Sequence, residues 1–206
     1  MQRQIRSNYP LTTSWILPVA ALLCVQYFGS REILEFTRTG IFEGEIWRML
    51  SGHTIHVSWQ HLGVNLAGLV FCQFLFSLPA RHLLGLAFTA ALVISSGLLL
   101  LTSYQYYLGL SGILHAWLIA GAIFALSSSR ENTMRMISWA VIVLLLCKIG
   151  FEQFQTHTAG GASTMEQFID APIVTEAHWL GLVAGATYAV LLTLTGVSPI
   201  LRRSST

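Results

Sequence analysis

Apolar residues run along this chain in six long stretches, separated by polar interruptions. A helix needs about 20 successive apolar residues to cross the hydrocarbon core of a bilayer. Stretches of that order lie at about 14–29, 60–78, 83–102, 109–127, 135–151 and 177–195. The pattern predicts an all-α membrane protein, a bundle of six transmembrane helices with an interfacial first loop. It divides the chain into a cytoplasmic N-terminal segment 1–13, a membrane domain 14–195 and a cytoplasmic tail 196–206. The first run follows Arg3 and Arg6 as the core of a signal peptide does, but no small-residue cleavage site ends it.

Two connections are longer than the others. The one at 30–59 carries Ile33, Leu34, Phe36, Ile41, Phe42 and Trp47 among polar residues, which predicts a segment lying in the outer interface. Ser30 is placed to cap a short helix containing Ile33, Leu34 and Phe36, and Trp47 beside Arg48 suits the headgroup level, with the cation snorkelling. The one at 152–176 contains Gly160, Gly161 and Pro172 and no basic residue, so it is expected to be mobile.

Charge then orients the bundle. Six crossings place Arg3, Arg6, Arg81, Arg130, Arg135, Arg202 and Arg203 on one side, with Glu131 as that side's only acid. The other side receives Arg31, Arg38 and Arg48 among eight acids, Glu32, Glu35, Glu43, Glu45, Glu152, Glu166, Asp170 and Glu176. Cytoplasmic loops hold the excess of Lys and Arg, so both termini are expected in the cytoplasm. Composition agrees: 10% of residues are charged and 54% hydrophobic, against about 25% charged in a soluble domain. A net charge of +2 without a basic cluster excludes a nucleic-acid surface. Cys24, Cys72 and Cys147 sit in apolar runs without metal-ligand spacing and read as small packing residues.

The polar residues inside the spans are few. His56, His61 and Asn65 open the second, and the last two, four apart, share one helical face. The fourth opens on Gly109-Leu110-Ser111-Gly112, with His115 four residues after the serine. Gly112, Ala116 and Ala120 form a small-residue ridge, and Ala177, Gly181 and Gly185 form another on the sixth span. Packing one ridge on the other would bring His178 towards Ser111, and both lie within about a turn of the outer helix start, at depths agreeing to roughly 5 Å. These polar groups suit interhelical hydrogen bonding; they also suit nucleophilic catalysis. A serine hydroxyl needs a base, which imidazole supplies, and the oxyanion needs donors. The candidate donors are the N–H of Ser111, the amide of Asn65 and the ring N–H of His61. No carboxylate is evident to orient His178, since Glu176, two residues away, points elsewhere on a helix. Lys148 is expected to pair with Glu152 or to snorkel. The third span, with Ser95, Ser96 and Gly97, reads as scaffold, and His82 beside Arg81 as a solvated interfacial residue. His115 has four open roles: stacking on His178, contacting substrate, hydrogen bonding in the bundle, or competing as base.

At these residues the sequence resembles the rhomboid family of intramembrane serine proteases. Gly109-Leu110-Ser111-Gly112 is similar to the family's GxSG, His56 with His61 and Asn65 to its histidine–asparagine cluster, and Ala177-His178 with Gly181 and Gly185 to its final-helix AHxxGxxxG. Trp47-Arg48 matches the WR pair of the first loop, and the resemblance spans about residues 45–190 in the family's order. It implies Ser111 as nucleophile, His178 as general base, His61 and Asn65 as oxyanion donors, no metal or organic cofactor, and membrane-spanning protein substrates. Many rhomboids carry an aromatic residue where this chain has His115. The compact chain and the Ser-Gly-Ile-Leu-His run look like the rhombosortase branch, which implies a bacterial inner-membrane enzyme, its site opening to the periplasm, that removes C-terminal Gly-Gly sorting signals from exported proteins. The alternatives are a general bacterial rhomboid protease and a non-catalytic rhomboid relative that binds membrane proteins. Ser111 and His178 together argue against the latter. The outer half of the fifth span and the loop after it are the expected route of substrate entry.

Overall fold

The computed structural model describes residues 16–158, 164–170 and 172–196. The expected segment 1–13, the tail beyond Gly196, and Gly160 with Gly161 lie outside the described residues. The chain begins with α1 (Ile16–Phe28), followed by α2 (Arg31–Leu34), β1 (Phe36–Thr37), α3 (Arg38–Phe42) and α4 (Arg48–Ser51). Then come α5 (Trp59–Leu75), α6 (Ala80–Leu101), β2 (Tyr106–Tyr107) and α7 (Ser111–Ser128). The last elements are α8 (Asn132–Thr158), α9 (Thr164–Ile169) and α10 (Thr175–Leu194). Helices thus occupy all six apolar stretches. Four of them, among the described residues, are long and apolar enough to cross a membrane: α6, α7, α8 over Asn132–Gln155, and α10. The expected six crossings are not met on those terms. Only 13 residues of α1 are described, and the 17 of α5 include Gln60, His61, Asn65 and Gln73.

Helix ends follow local chemistry. Ser58 is extended before α5, and its Oγ accepts the His61 N–H at 3.1 Å, a cap worth about 1 kcal/mol. The same hydroxyl donates to the Ile169 carbonyl at 2.6 Å, which holds α9 against the N-terminal end of α5. At the other end of the range, α6 stops at Leu101, and its final carbonyls have no helical partner. The Arg38 guanidinium takes them up, donating to the carbonyls of Leu98 and Leu99 at 2.7 Å, of Thr102 at 2.6 Å and of Tyr104 at 3.1 Å. A cation is also favoured there by the helix dipole.

α7 is the most enclosed helix, with Ala116, Ala120 and Ala122 fully buried. α10 meets it along the two small-residue ridges. A Cβ on Gly181 would land on the Gly112 carbonyl oxygen, one on Gly185 on that of Ala116, and one on Gly112 on that of Ala177. The contacted atoms are backbone, so they cannot swing aside as a side chain can. α8 is attached on one side only, and Val143, Leu144, Leu146, Phe151 and Phe154 along it are exposed.

Several expectations need correction. The fold is not wholly helical: β1 pairs antiparallel with β2, Phe36 opposite Tyr107 and Thr37 opposite Tyr106, joining the first connection to the segment before Ser111. Ser30 precedes α2 without a side-chain cap bond, and Phe36 belongs to β1 rather than to a helix. Arg48 does not snorkel. It is 7% exposed, its Nε donates to Glu45 at 2.5 Å and its guanidinium to the Glu35 carbonyl at 2.8 Å, while Trp47 stays at the surface and donates to the Ile33 carbonyl. His82 is buried rather than solvated, beside Arg81 and under Tyr188, whose hydroxyl donates to its carbonyl. Cys72 packs in the core as expected, but Cys24 and Cys147 face outward, and all three are free thiols. The fifth stretch does not end at 151; α8 continues to Thr158.

The seam between α7 and α10 makes a sharp prediction. Gly181→Ala should force the two backbones apart at a cost of about 1–3 kcal/mol, lowering the thermal unfolding midpoint of the detergent-solubilised protein by roughly 3–10 °C.

Candidate active site

The loop into α7 is held from three sides. Gly109 has φ +120°, a conformation that favours glycine, and a Cβ there would also meet the His61 imidazole at 2.8 Å. Its N–H donates to the Gly52 carbonyl at 3.0 Å, and its own carbonyl accepts the buried Tyr107 hydroxyl at 2.7 Å. Ser111 follows as the first helical residue, where the backbone N–H groups have no partner within the helix.

Ser111 Oγ lies 3.0 Å from His178 Nε2. His178 is in the first turn of α10 and is buried. Its other nitrogen, Nδ1, lies 2.9 Å from Glu152 Oε2. The second oxygen of that carboxylate pairs with Lys148, whose Nζ is also 3.4 Å from His178 Nδ1. The expected pair of Lys148 and Glu152 is thus present, but it is not a surface pair standing apart from the site. The absence of a carboxylate near His178, expected from the sequence, is corrected: Glu152 fills that place. Its signal was weak but present, an acid and a base four apart at the outer end of a membrane helix.

His115 stacks on His178, ring centroids 4.3 Å apart and planes 18° from parallel. Its Nδ1 donates to the Ser111 carbonyl at 2.7 Å. With Nδ1 occupied in this way, the ring lies against His178 rather than reaching the Ser111 hydroxyl. Gly112, Gly181 and Gly185 set the approach of the two helices through their backbone contacts.

His61 presents its ring edge to Gly109, and its Nδ1 is buried without a hydrogen-bond partner among the described residues. Asn65 is buried one turn deeper, with one amide N–H spent on the His61 carbonyl at 3.0 Å. His56 precedes α5 rather than lying in it. It stands edge-on to His61, centroids 5.0 Å apart, with both ring nitrogens unpartnered among the described residues. Its backbone is clamped by Gln26 of α1, which accepts its N–H at 3.0 Å and donates to its carbonyl at 3.2 Å. Trp47 and Arg48 lie away from the serine and organise the first connection.

His53 was not singled out from the sequence. It is 1% exposed, its Nε2 is 3.2 Å from Ser95 Oγ, and its ring stands edge-on to Tyr107. The Ser95 hydroxyl donates to the Met49 carbonyl at 2.7 Å, so its lone pair is left for the His53 N–H. Ser95 is thus more than scaffold, since it ties α6 to the first connection. Among the described residues no group of three or more His, Cys, Asp or Glu is arranged to hold a metal ion.

A family model described as a rhomboid domain matches residues 43–195. No curated protein matches the chain significantly.

The two buried histidines outside the spans give the fold an acid sensitivity. Burial lowers His53 from the usual 6.5 to about 4, and burial followed by the charge of His61 lowers His56 to about 3. The unfolded chain therefore binds more protons below about pH 6.5, so the stability these residues contribute is full above that value and is lost as pH falls. Each should steepen the loss by up to about 1.4 kcal/mol per pH unit between about pH 6 and 4, and His56→Leu should flatten the slope of unfolding midpoint against pH.

Proposed function

The chain belongs to the rhomboid family, a family of intramembrane serine proteases, and from that premise we propose that it cleaves membrane-spanning proteins with Ser111 as nucleophile and His178 as general base. The observation that carries this reading is the 3.0 Å approach of Ser111 Oγ to His178 Nε2 across the seam between two membrane helices. Ser111 Oγ attacks the scissile carbonyl carbon while its proton passes to His178 Nε2, and the carbonyl electron pair moves to oxygen. Collapse of that intermediate expels the amine, which takes the proton back from Nε2. A water molecule then repeats the sequence on the acyl-enzyme.

The oxyanion is met by the Ser111 N–H, His61 and Asn65. A buried ring nitrogen of His61 without a partner among the described residues supports this role, since an unsatisfied group costs about 1–3 kcal/mol that a developing negative charge would return. The amide of Asn65, fixed by its bond to the His61 carbonyl, is held ready at the same helix face. His115 keeps the imidazole of His178 in plane by stacking on it.

For substrates, the reading extends to proteins with a C-terminal Gly-Gly, an apolar helix and an Arg-rich tail, as in the rhombosortase branch. Support comes from the Ser111-Gly112-Ile113-Leu114-His115 run, with its histidine where many rhomboids have an aromatic residue. The setting is a bacterial inner membrane, crossed six times, with both termini in the cytoplasm and the site open to the periplasm, as the distribution of arginines supports.

Ser111→Ala should abolish cleavage of a co-expressed membrane substrate while the protein remains inserted, and a serine-directed covalent probe should label neither Ser111→Ala nor His178→Ala. Labelling that survives in His178→Ala but not in His115→Ala would make His115 the base instead. Replacing Gly-Gly by Val-Val in the substrate should reduce cleavage at least tenfold; equal cleavage of both would favour a general rhomboid protease.

A further inference from the structure

Resting on the reading of Ser111 and His178 as the reacting pair, we infer that Glu152 is the positioning residue of that pair and that Lys148 in turn holds Glu152 in place. α8 extends far enough to bring both side chains, four residues apart on one helical face, over His178. Apolar residues of this helix face outward along most of its length, and the charged pair is its polar reach into the site.

The hydrogen positions follow from the partners. An ionised carboxylate can only accept, so the 2.9 Å contact between Glu152 Oε2 and His178 Nδ1 requires the hydrogen to be on Nδ1. Neutral imidazole then has its lone pair on Nε2, the nitrogen that faces Ser111 Oγ. Lys148 has donors and no acceptor, so it cannot bond to a protonated Nδ1 despite lying 3.4 Å away. Its partner is the other carboxylate oxygen. The result is a chain running Lys148, Glu152, His178, Ser111 in which each link pairs a donor with an acceptor.

During attack the serine proton moves to Nε2 and His178 becomes an imidazolium. An unpaired cation at this depth is costly. Glu152 balances it without taking a proton, because Nδ1 keeps its hydrogen throughout and the Nε2 proton leaves with the amine. The other groups facing His178 do not replace this. His115 offers a ring face, and Glu176, on its own helix, lies with its carboxylate at the Thr175 hydroxyl.

The test compares Glu152→Gln, Glu152→Ala and Lys148→Met in purified, membrane-reconstituted protein. Gln keeps the size of Glu but can present its N–H to Nδ1, which places the imidazole hydrogen on Nε2, where it cannot accept the serine proton. Glu152→Gln should therefore lower kcat by about 100-fold or more with KM changed less than about threefold. Glu152→Ala should retain at least as much kcat as the isosteric Gln. Lys148→Met should lower kcat by about tenfold. A purely structural role predicts the opposite order, with Gln near the parent and Ala worse, and that order would overturn the inference. Should Glu152→Gln fail to fold, the rate of serine-probe labelling in Glu152→Ala decides: a fall of tenfold or more supports the inference, and a smaller one overturns it. Ser111→Ala separates the two claims. If it still cleaves, the serine-protease reading falls; if it is dead while Glu152→Gln keeps full kcat, only the role of Glu152 falls.

Discussion

Gly181 rests on the carbonyl of Gly112 and Gly185 on that of Ala116, so α7 and α10 approach more closely than any side chain at those positions would allow. Lipid tails are as apolar as leucine, and helices within them gain nothing from leaving one hydrocarbon surface for another. What holds two such helices is many weak dispersion contacts, each about 0.1–0.2 kcal/mol and available only at short range. The glycines make that range accessible. Because Ser111 and His178 begin the two helices that share this seam, their separation is set by backbone atoms over several turns rather than by the two side chains themselves.

The outer layer depends on a different kind of tie. β1 pairs with β2 just ahead of the loop into α7, Gly109 bonds back to Gly52, and His53 reaches Ser95. Each bond joins the first connection to a segment distant in sequence. The loop that carries Ser111 is thus braced from outside by the first connection and from below by the packed ridges. His61 adds a third support, since its ring occupies the space that a side chain at 109 would need. The site is rigid where the serine sits and lightly attached where α8 brings its charges.

Much of this was legible in the chain. Ridges of small residues at spacing four announce which helix faces meet, because period and residue size are both local properties. The meeting of Ser111 with His178, and of His115 with both, could be read for the same reason. Glu152 is legible only as the partner of Lys148 four residues before it: hydropathy falls at the end of the fifth stretch, and a helix that continues into polar residues leaves no trace in an apolar count, so its approach to His178 does not show. Arg48 and His82 were misread because residue type alone suggests water for both. Their burial depends on the Glu35 carbonyl and on Tyr188, partners that only the fold supplies. His53 carries no signal in the sequence because its partners, Ser95 and Tyr107, belong to other segments. The short pairing of β1 and β2, two residues on each strand, is below what alternation of residue types can reveal.

Arg38 meets four carbonyls spread over the end of α6 and the turn beyond it, and no carboxylate among the described residues. Its planar fork suits several acceptors at once, whereas the ammonium of lysine is a single point. Exchanging one for the other would leave the charge of the first connection unaltered, and with it everything that depends on counting cations during insertion. The folded chain would still lose the fastening of its first connection. At this position insertion responds to a charge and folding responds to a shape, and only arginine supplies both.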